Sequence, residues 1–266
     1  VAQGATVKVA LVTGGTRGLG AAIALALGRR GTPSVLTHRW ASADEAQLKR
    51  MFLDAGAPEP TVVEADAADR TDTDRLIAGL ARGGRRVDVF VSNVAVVSRG
   101  GSLSSLKLRD LSTGLRYSAW PLMHYVDSME RHFGGLPRWT LATSSDGPDH
   151  YYPGYDYVAA SKAALEALAV SLAERTRGTE ARVAVLRTRQ VDTAGYREVF
   201  AETTRALVGQ SFSQFAVSLD EVGRAVVALT SGLLDGLHGQ VLTVDKGAEY
   251  VDNMVAAGPV VLGART

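Results

Sequence analysis

The sequence predicts an α/β fold: a doubly wound parallel sheet of about seven strands with helices on both faces, forming one domain over residues 1–266. Three observations predict it. Short apolar runs alternate with longer helix-like stretches, a glycine cluster follows the first run, and no repeat, low-complexity tract or linker divides the chain. The runs at 8–13, 34–37, 61–64, 87–92, 138–143, 182–187 and 240–244 read as strands, with the nearly continuous apolar character of strands covered on both faces. Between them, the Ala-rich stretches 19–30, 42–55, 71–82 and 157–175 read as helices. Gly83-Gly84, Gly100-Gly101 and Gly134-Gly135 punctuate loops. The poorly periodic stretch 193–219 predicts a helical flap over a pocket.

Composition narrows the function classes. The 266 residues are 46% hydrophobic, enough to bury a substantial core. With 29 basic and 28 acidic residues the net charge is +1, so no global field favours nucleic acid or an anionic membrane, and neither is expected as a partner. The lack of cysteine excludes a disulfide framework, thiolate catalysis and cysteine-ligated zinc. The five histidines, His38, His124, His132, His150 and His238, show no metal-ligand spacing, so no metal is expected. No Gly-x-Ser-x-Gly supports a hydrolase. Residues 1–12, interrupted by Gly4, Thr6 and Lys8, are too short for a signal peptide, and no apolar run approaches a membrane span, which predicts a soluble cytoplasmic protein.

The loop after the first strand reads Thr13-Gly14-Gly15-Thr16-Arg17-Gly18-Leu19-Gly20. Gly14 permits the tight turn, Gly18 lets backbone approach a pyrophosphate, and Gly20 lets the following helix pack on the strand. The helix N-terminus then faces the phosphates. A strand before and a helix after make this a nucleotide-binding loop, and the absence of a following Gly-Lys-Ser/Thr rules out a phosphate-loop NTPase.

Three residues separate Gly14 from Gly18 and one separates Gly18 from Gly20, a spacing that resembles the short-chain dehydrogenase/reductase family and its Rossmann-like fold. The resemblance continues along about nine-tenths of the chain, as expected for one domain. Val63-Glu64-Ala65-Asp66-Ala67 resembles the family's adenine-contacting turn, which implies that Asp66 bonds the base amino group with Ala67 nearby. Ser92-Asn93-Val94-Ala95 resembles its Asn-Asn-Ala-Gly turn, with Ser92 for the first Asn and Ala95 for Gly; Asn93 and Ala95 are therefore cofactor-side candidates. Val191-Asp192-Thr193 resembles the stretch that meets the nicotinamide carboxamide, and residues 239–245 resemble the last strand.

In this fold the residues after the second strand meet the adenosine ribose, where a carboxylate selects NAD and a cation accepts a 2′-phosphate. Here the strand ends in His38-Arg39, and no carboxylate appears before Asp44. Arg39, with Arg17 from the glycine loop, predicts NADPH.

The densest motif is Thr143-Ser144-Ser145 followed by Tyr155-Asp156-Tyr157-Val158-Ala159-Ala160-Ser161-Lys162. The family's common pattern has a tyrosine four residues before the lysine, where Val158 stands here. Tyr155 stands seven before, a spacing that resembles the enoyl-acyl-carrier-protein reductases of the same superfamily. At ~100° per residue, Tyr155 lies only ~20° from the face of Lys162, whereas Tyr157 lies ~140° away. Because seven residues of helix span ~10 Å, Pro153 and Gly154 are expected to start the helix late and let the phenol fold inward. Tyr155, Lys162 and Ser145 are thus the catalytic candidates. A nearby ammonium is expected to lower the phenol's pKa from about 10. The resemblance adds that Lys162 bonds the nicotinamide ribose and that Ser145 holds the substrate oxygen.

Further departures are Thr188-Arg189 for the customary Pro-Gly, and Tyr117 or Ser118 near the usual helical Asn. Arg187 and Arg189 could meet an acidic or carrier-bound substrate. Three readings follow: an NADPH-dependent reductase of an enoyl thioester-like double bond; a ketoreductase acting on a polyketide-like or other apolar carbonyl; and a silent NADP-binding module. The substrate is a small molecule or a carrier-bound acyl group. The resemblance and the apolar stretch 255–263 imply a homo-oligomer, a tetramer.

Overall fold

A computed structural model describes residues 6–40, 44–189, 191, 193, 197 and 215–251. Seven parallel strands form one sheet in the order β3-β2-β1-β4-β5-β6-β7. They are β1 (Val7–Val12), β2 (Ser34–His38), β3 (Thr61–Glu64), β4 (Arg85–Ser92), β5 (Trp139–Ser145), β6 (Arg182–Thr188) and β7 (Gln240–Val244). The order reverses direction between β1 and β4, so the crevice for a ligand opens beyond the carboxyl ends of those strands.

The predicted strands all form, most within one residue of the expected bounds, and two run two residues further. β4 starts at Arg85 because its first residues pair with Val7 and Lys8 of β1, and β5 continues to Ser145 because that residue pairs with Thr188 of β6. The helices are α1 (Gly18–Gly28), α2 (Glu45–Asp54), α3 (Arg70–Arg82), α4 (Leu108–Gly114), α5 (Pro121–Phe133), α6 (Asp156–Arg175) and α7 (Leu219–Thr230). Most of the 193–219 stretch, and all of 255–263, lie outside the described residues.

The two-residue strand period divides the core. Val9 and Leu11 of β1 face a cluster with Leu76, Leu122 and Leu165 of α3, α5 and α6, while Ala10 and Val12 face one with Ile23, Phe52 and Val226 of α1, α2 and α7. Among the described residues, helix starts are capped by side chains in three cases. Asp44 accepts from Gln47 N, Asp69 from Thr71 N and Asp72 N, and Ser218 forms a capping box with Glu221. At α1 no side chain caps the helix. No described helix is long and apolar enough to cross a membrane.

Candidate active site

The nucleotide half is built at the tips of β1 and β4. Asn93 Nδ2 donates to Thr13 O at 3.0 Å and Gly14 O at 3.2 Å, while Thr13 Oγ1 accepts from Asn93 N at 2.9 Å. Asn93 thus braces the glycine loop. A Cβ on Gly20 would stand 2.5 Å from Gly14 O and 2.6 Å from Asn93 Nδ2, so only glycine lets α1 pack here. Gly18 is the opposite case: its φ is +54°, and an added Cβ would meet nothing within 4 Å. That open space, and the uncapped first turn of α1 with Leu19 in it, leave backbone N–H groups facing a cradle suited to a pyrophosphate. Thr16 is half-buried at the cradle's edge, and Arg17, the residue preceding α1, is exposed.

The adenosine side departs from expectation. Arg39 is not held toward an outside phosphate; it pairs with Asp66 Oδ2 at 2.9 Å and donates to Tyr117 Oη. Its guanidinium lies 4.0 Å from the Trp40 ring centroid and 5.3 Å from that of Tyr117. Asp66, expected on the base, accepts from Tyr117 Oη at 3.1 Å and from Ala68 N at 2.9 Å. The carboxylate is the strongest acceptor within the arginine's reach, and ion pairing wins over solvent exposure when an aromatic face also covers the cation. Ala67 is buried beside it. His38 is buried with Nδ1 lacking a hydrogen-bond partner among the described residues, an orphan nitrogen at the strand tip where the family seats the ribose. The residues therefore fit NADPH, provided Arg39 swings off Asp66. Ala95 is exposed in the loop after β4. Val191 is buried in the core, and Thr193 O accepts from Arg197 N.

The reaction half sits at the tips of β5 and β6. As anticipated, α6 starts late: Gly154 has φ +78°, and Tyr155 immediately precedes the helix rather than lying within it. Its phenol folds inward and donates to Ser145 Oγ at 3.1 Å. A Cβ on Gly147 would stand 2.5 Å from the Tyr155 ring, so glycine there leaves the ring its seat. Lys162 is buried and donates from Nζ to Thr143 O at 2.8 Å. Val158 is core, and Tyr157 is buried with its hydroxyl accepting from Lys107 N at 2.5 Å, a structural tie.

The expected electrostatics do not hold in this state. Burial pushes the Tyr155 pKa up, the Ser145 hydrogen bond opposes this, and the charge of Asp146 adds to the rise. Burial brings Lys162 down to about 8, with Glu166 pulling the other way. The lysine therefore does not lower the phenol's pKa here, because it is turned to the Thr143 carbonyl and itself resists charging.

A family model described as enoyl-(acyl carrier protein) reductase matches residues 14–249. The chain is a short-chain dehydrogenase/reductase. Versicolorin reductase 1 of Aspergillus parasiticus is 26% identical over 91% of this chain and 96% of its own length. Short-chain dehydrogenase/reductase FrzI of a Cladobotryum species is 34% identical, but the match spans only 60% of this chain and 61% of FrzI. A short-chain dehydrogenase from Burkholderia cenocepacia, solved in complex with NADP, superposes with a TM-score of 0.79 at 26% identity, covering 91% of this chain and 98% of that one.

Several functional-side residues of this dehydrogenase/reductase escaped the sequence reading. Glu166, four residues after Lys162, is buried, accepts from Ser144 Oγ at 2.6 Å and is held by Arg187 at 2.6 and 2.8 Å. Arg187 also donates to Asp149, and Arg189 Nε lies 3.0 Å from Asp146 Oδ2. Neither arginine is held out for an acidic substrate, because each already faces a carboxylate of this chain. The i,i+4 relation of Lys162 and Glu166 was the one sequence signal available. Near the position of the usual helical Asn, residues Leu115–Ala119 form a π-turn, and Ser118 Oγ accepts from Val96 N at 3.1 Å. Ser118 therefore braces the loop after β4, while Tyr117 serves the Arg39–Asp66 pair. Among the described residues no cluster of His, Asp or Glu could hold a metal ion.

Proposed function

We propose that this enzyme uses NADPH to reduce a carbon–carbon double bond conjugated to a carbonyl, with Tyr155 as donor to the carbonyl oxygen. The Tyr155–Ser145 hydrogen bond carries the reading: it is made by a tyrosine seven residues before Lys162, while buried Val158 fills the position four before it. The glycine cradle, the orphan His38 nitrogen and Arg39 support the choice of cofactor, as does the NADP complex of the Burkholderia structure. When bound, the cofactor supplies the hydride to the β-carbon. The π electrons would then move onto the carbonyl oxygen, where the Tyr155 hydroxyl stabilises and protonates it, and the resulting enol tautomerises, its proton passing to the α-carbon, to give the saturated carbonyl. Ser145 Oγ, which accepts from Tyr155, holds the phenol in line. Lys162, turned to Thr143 O, would bond the nicotinamide ribose of the bound cofactor.

Direct reduction of a ketone is the second reading, favoured by the near full-length similarity to versicolorin reductase 1. The same tyrosine would then protonate an alkoxide. Reduction of conjugated and saturated ketones and thioesters with deuterated NADPH separates the two. Label at the β-carbon is expected; label at the carbonyl carbon replaces the first reading by the second, and no NADPH consumption with any substrate removes both in favour of a binding module.

The enzyme is further proposed to be a cytoplasmic homotetramer. Exposed Leu103, Leu108, Trp120 and Val170 on and around α4, α5 and α6 offer the apolar surface. A tetrameric mass by light scattering is expected, and a monomeric mass at micromolar protein would overturn it.

A further inference from the structure

The two arginines at the end of β6 do something other than recognise charge. Arg187 lies on β6 and Arg189 just beyond its end, and both grip the loop that joins β5 to α6. Arg187 bonds Asp149 and Glu166, and Arg189 faces Asp146 at 3.0 Å. Asp146 in turn accepts from Tyr152 Oη at 2.5 Å, and its backbone oxygen lies 3.2 Å from His150 Nδ1. Ser145 and Thr188 are register partners, so the Asp146–Arg189 pair closes the sheet edge one step beyond the last paired residues. Four of these five charged side chains are close to nine-tenths buried, at 10–13% exposure for Glu166, Arg187, Arg189 and Asp146; Asp149 is the outer one.

The strapped loop carries aromatic rings. His150 and Tyr152 stack with centroids 6.5 Å apart, and Tyr152 meets Tyr155 edge-to-face at 5.9 Å. Beside them lies a cleft of about 280 Å³ lined by Pro148, His150, Tyr151, Tyr152, Tyr155 and Asp156. Ligand pockets run from ~300 Å³ upward, so this one admits a small flat framework rather than a bulky one. Its polar lining is tyrosine, histidine and the carboxylates of Asp149 and Asp156, while Arg187 and Arg189 of the strap already face carboxylates of this chain.

We propose that the loop is a specificity wall, pinned by Arg187 and Arg189, that seats Tyr151 and Tyr152 against an uncharged planar aromatic substrate whose carbonyl then meets Tyr155. This rests on the function proposed above for Tyr155 and names the substrate class for it. A flat ring gains from stacked and edge-on contacts that a flexible acyl chain cannot match. An anionic carrier arm would meet the carboxylates of Asp149 and Asp156 in the lining.

The test is calorimetric titration of the full chain, saturated with NADP⁺, using 1-naphthol and a hexenoyl pantetheine thioester as probes. The naphthol is expected to bind at least tenfold more tightly. Tyr152→Leu should cost it about tenfold or more and the thioester less than threefold, with the melting temperature and NADP⁺ affinity recorded to show that the variant is folded. Tighter binding of the thioester, binding of neither probe, or an equal loss of both in the folded variant overturns the proposal. A protein that prefers the naphthol yet reduces nothing would sink the proposed chemistry while leaving the wall in place.

Discussion

The two halves of this site are built by different means at strand tips only two strands apart. At β1 and β4 the work is done by backbone: glycines at 14, 18 and 20, an uncapped helix start, and one asparagine that braces the loop. At β5 and β6 it is done by side chains, through the Tyr155–Ser145 hydrogen bond, a buried lysine and two arginine-carboxylate straps. Backbone sites depend on local spacing and tolerate change around them, because N–H groups are the same in every residue. Side-chain sites depend on partners far apart in sequence, so each departure from the family pattern demands another. Asp146 with Arg189 is such a pair, an acid after β5 answering an arginine where the family places glycine.

The largest expected effect tests whether Tyr155 anchors the reaction half. Tyr155→Phe should lower kcat by 10²–10³-fold, since one oxyanion donor contributes roughly 3–4 kcal/mol to the transition state. Steady-state kinetics with NADPH and any accepted substrate read this directly. Loss of less than fivefold would move the donor role elsewhere and remove the contrast between the halves.

What could be read from the sequence follows the same division. The glycine loop, the parallel sheet of about seven strands implied by alternating elements, and the inward fold of Tyr155 after Pro153-Gly154 were legible, because each depends on neighbours in the chain. The pairing of Arg39 with Asp66 and Tyr117 was not, since 27 and 78 positions separate them and nothing local marks the contact. The same holds for Arg187 with Asp149. The Lys162 environment was misjudged for a related reason: helix phase placed it on the face of Tyr155, but only the packed structure shows it buried and turned to Thr143 O.

That burial gives the next prediction. Folding lowers the Lys162 pKa from 10.5 to about 8, so between those values the unfolded chain binds more protons than the folded one, and stability rises with pH across the window. Below about pH 8 the full cost of burying the ammonium is present. Lys162→Met should therefore raise the unfolding free energy at pH 7 by up to ~3 kcal/mol and abolish turnover. Its advantage over the parent should fade toward pH 10.5. Denaturant titrations at pH 7 and pH 10 measure it, and a variant less stable at both would show that Lys162 contributes packing rather than stored cost. In the active parent, the rate should fall as pH rises through about 8 and the lysine loses its charge.

The nucleotide half has one side-chain element of its own. A charge-assisted contact from Arg39 to a 2′-phosphate contributes ~1.5–3 kcal/mol, so NADPH should bind at least tenfold more tightly than NADH, and Arg39→Ala should erase most of the difference through cofactor affinity. Part of the gain offsets the pair with Asp66, whose partners are 33% and 20% exposed and therefore weakly bound. Fluorescence titration of Trp40, which stacks on that guanidinium, follows both events. Equal affinities in the parent would assign Arg39 to the Asp66 pair alone.

The smallest effect is a control placed two residues from the largest. Tyr157 has the same side chain as Tyr155, lies in the first turn of α6 just after it and is buried, yet its hydroxyl accepts from Lys107 N at 2.5 Å, away from Ser145. Its work is to tie the segment before α4 to α6. Removing the oxygen leaves one backbone N–H short of a partner in a half-buried setting, where water can partly replace it. Tyr157→Phe should thus cost ~1 kcal/mol of stability and leave kcat within twofold of the parent. A thermal melt and a kinetic assay on the same preparation decide it. Should this variant lose activity while Tyr155→Phe keeps it, the helix-phase argument fails, and the donor must lie on the face that meets α4.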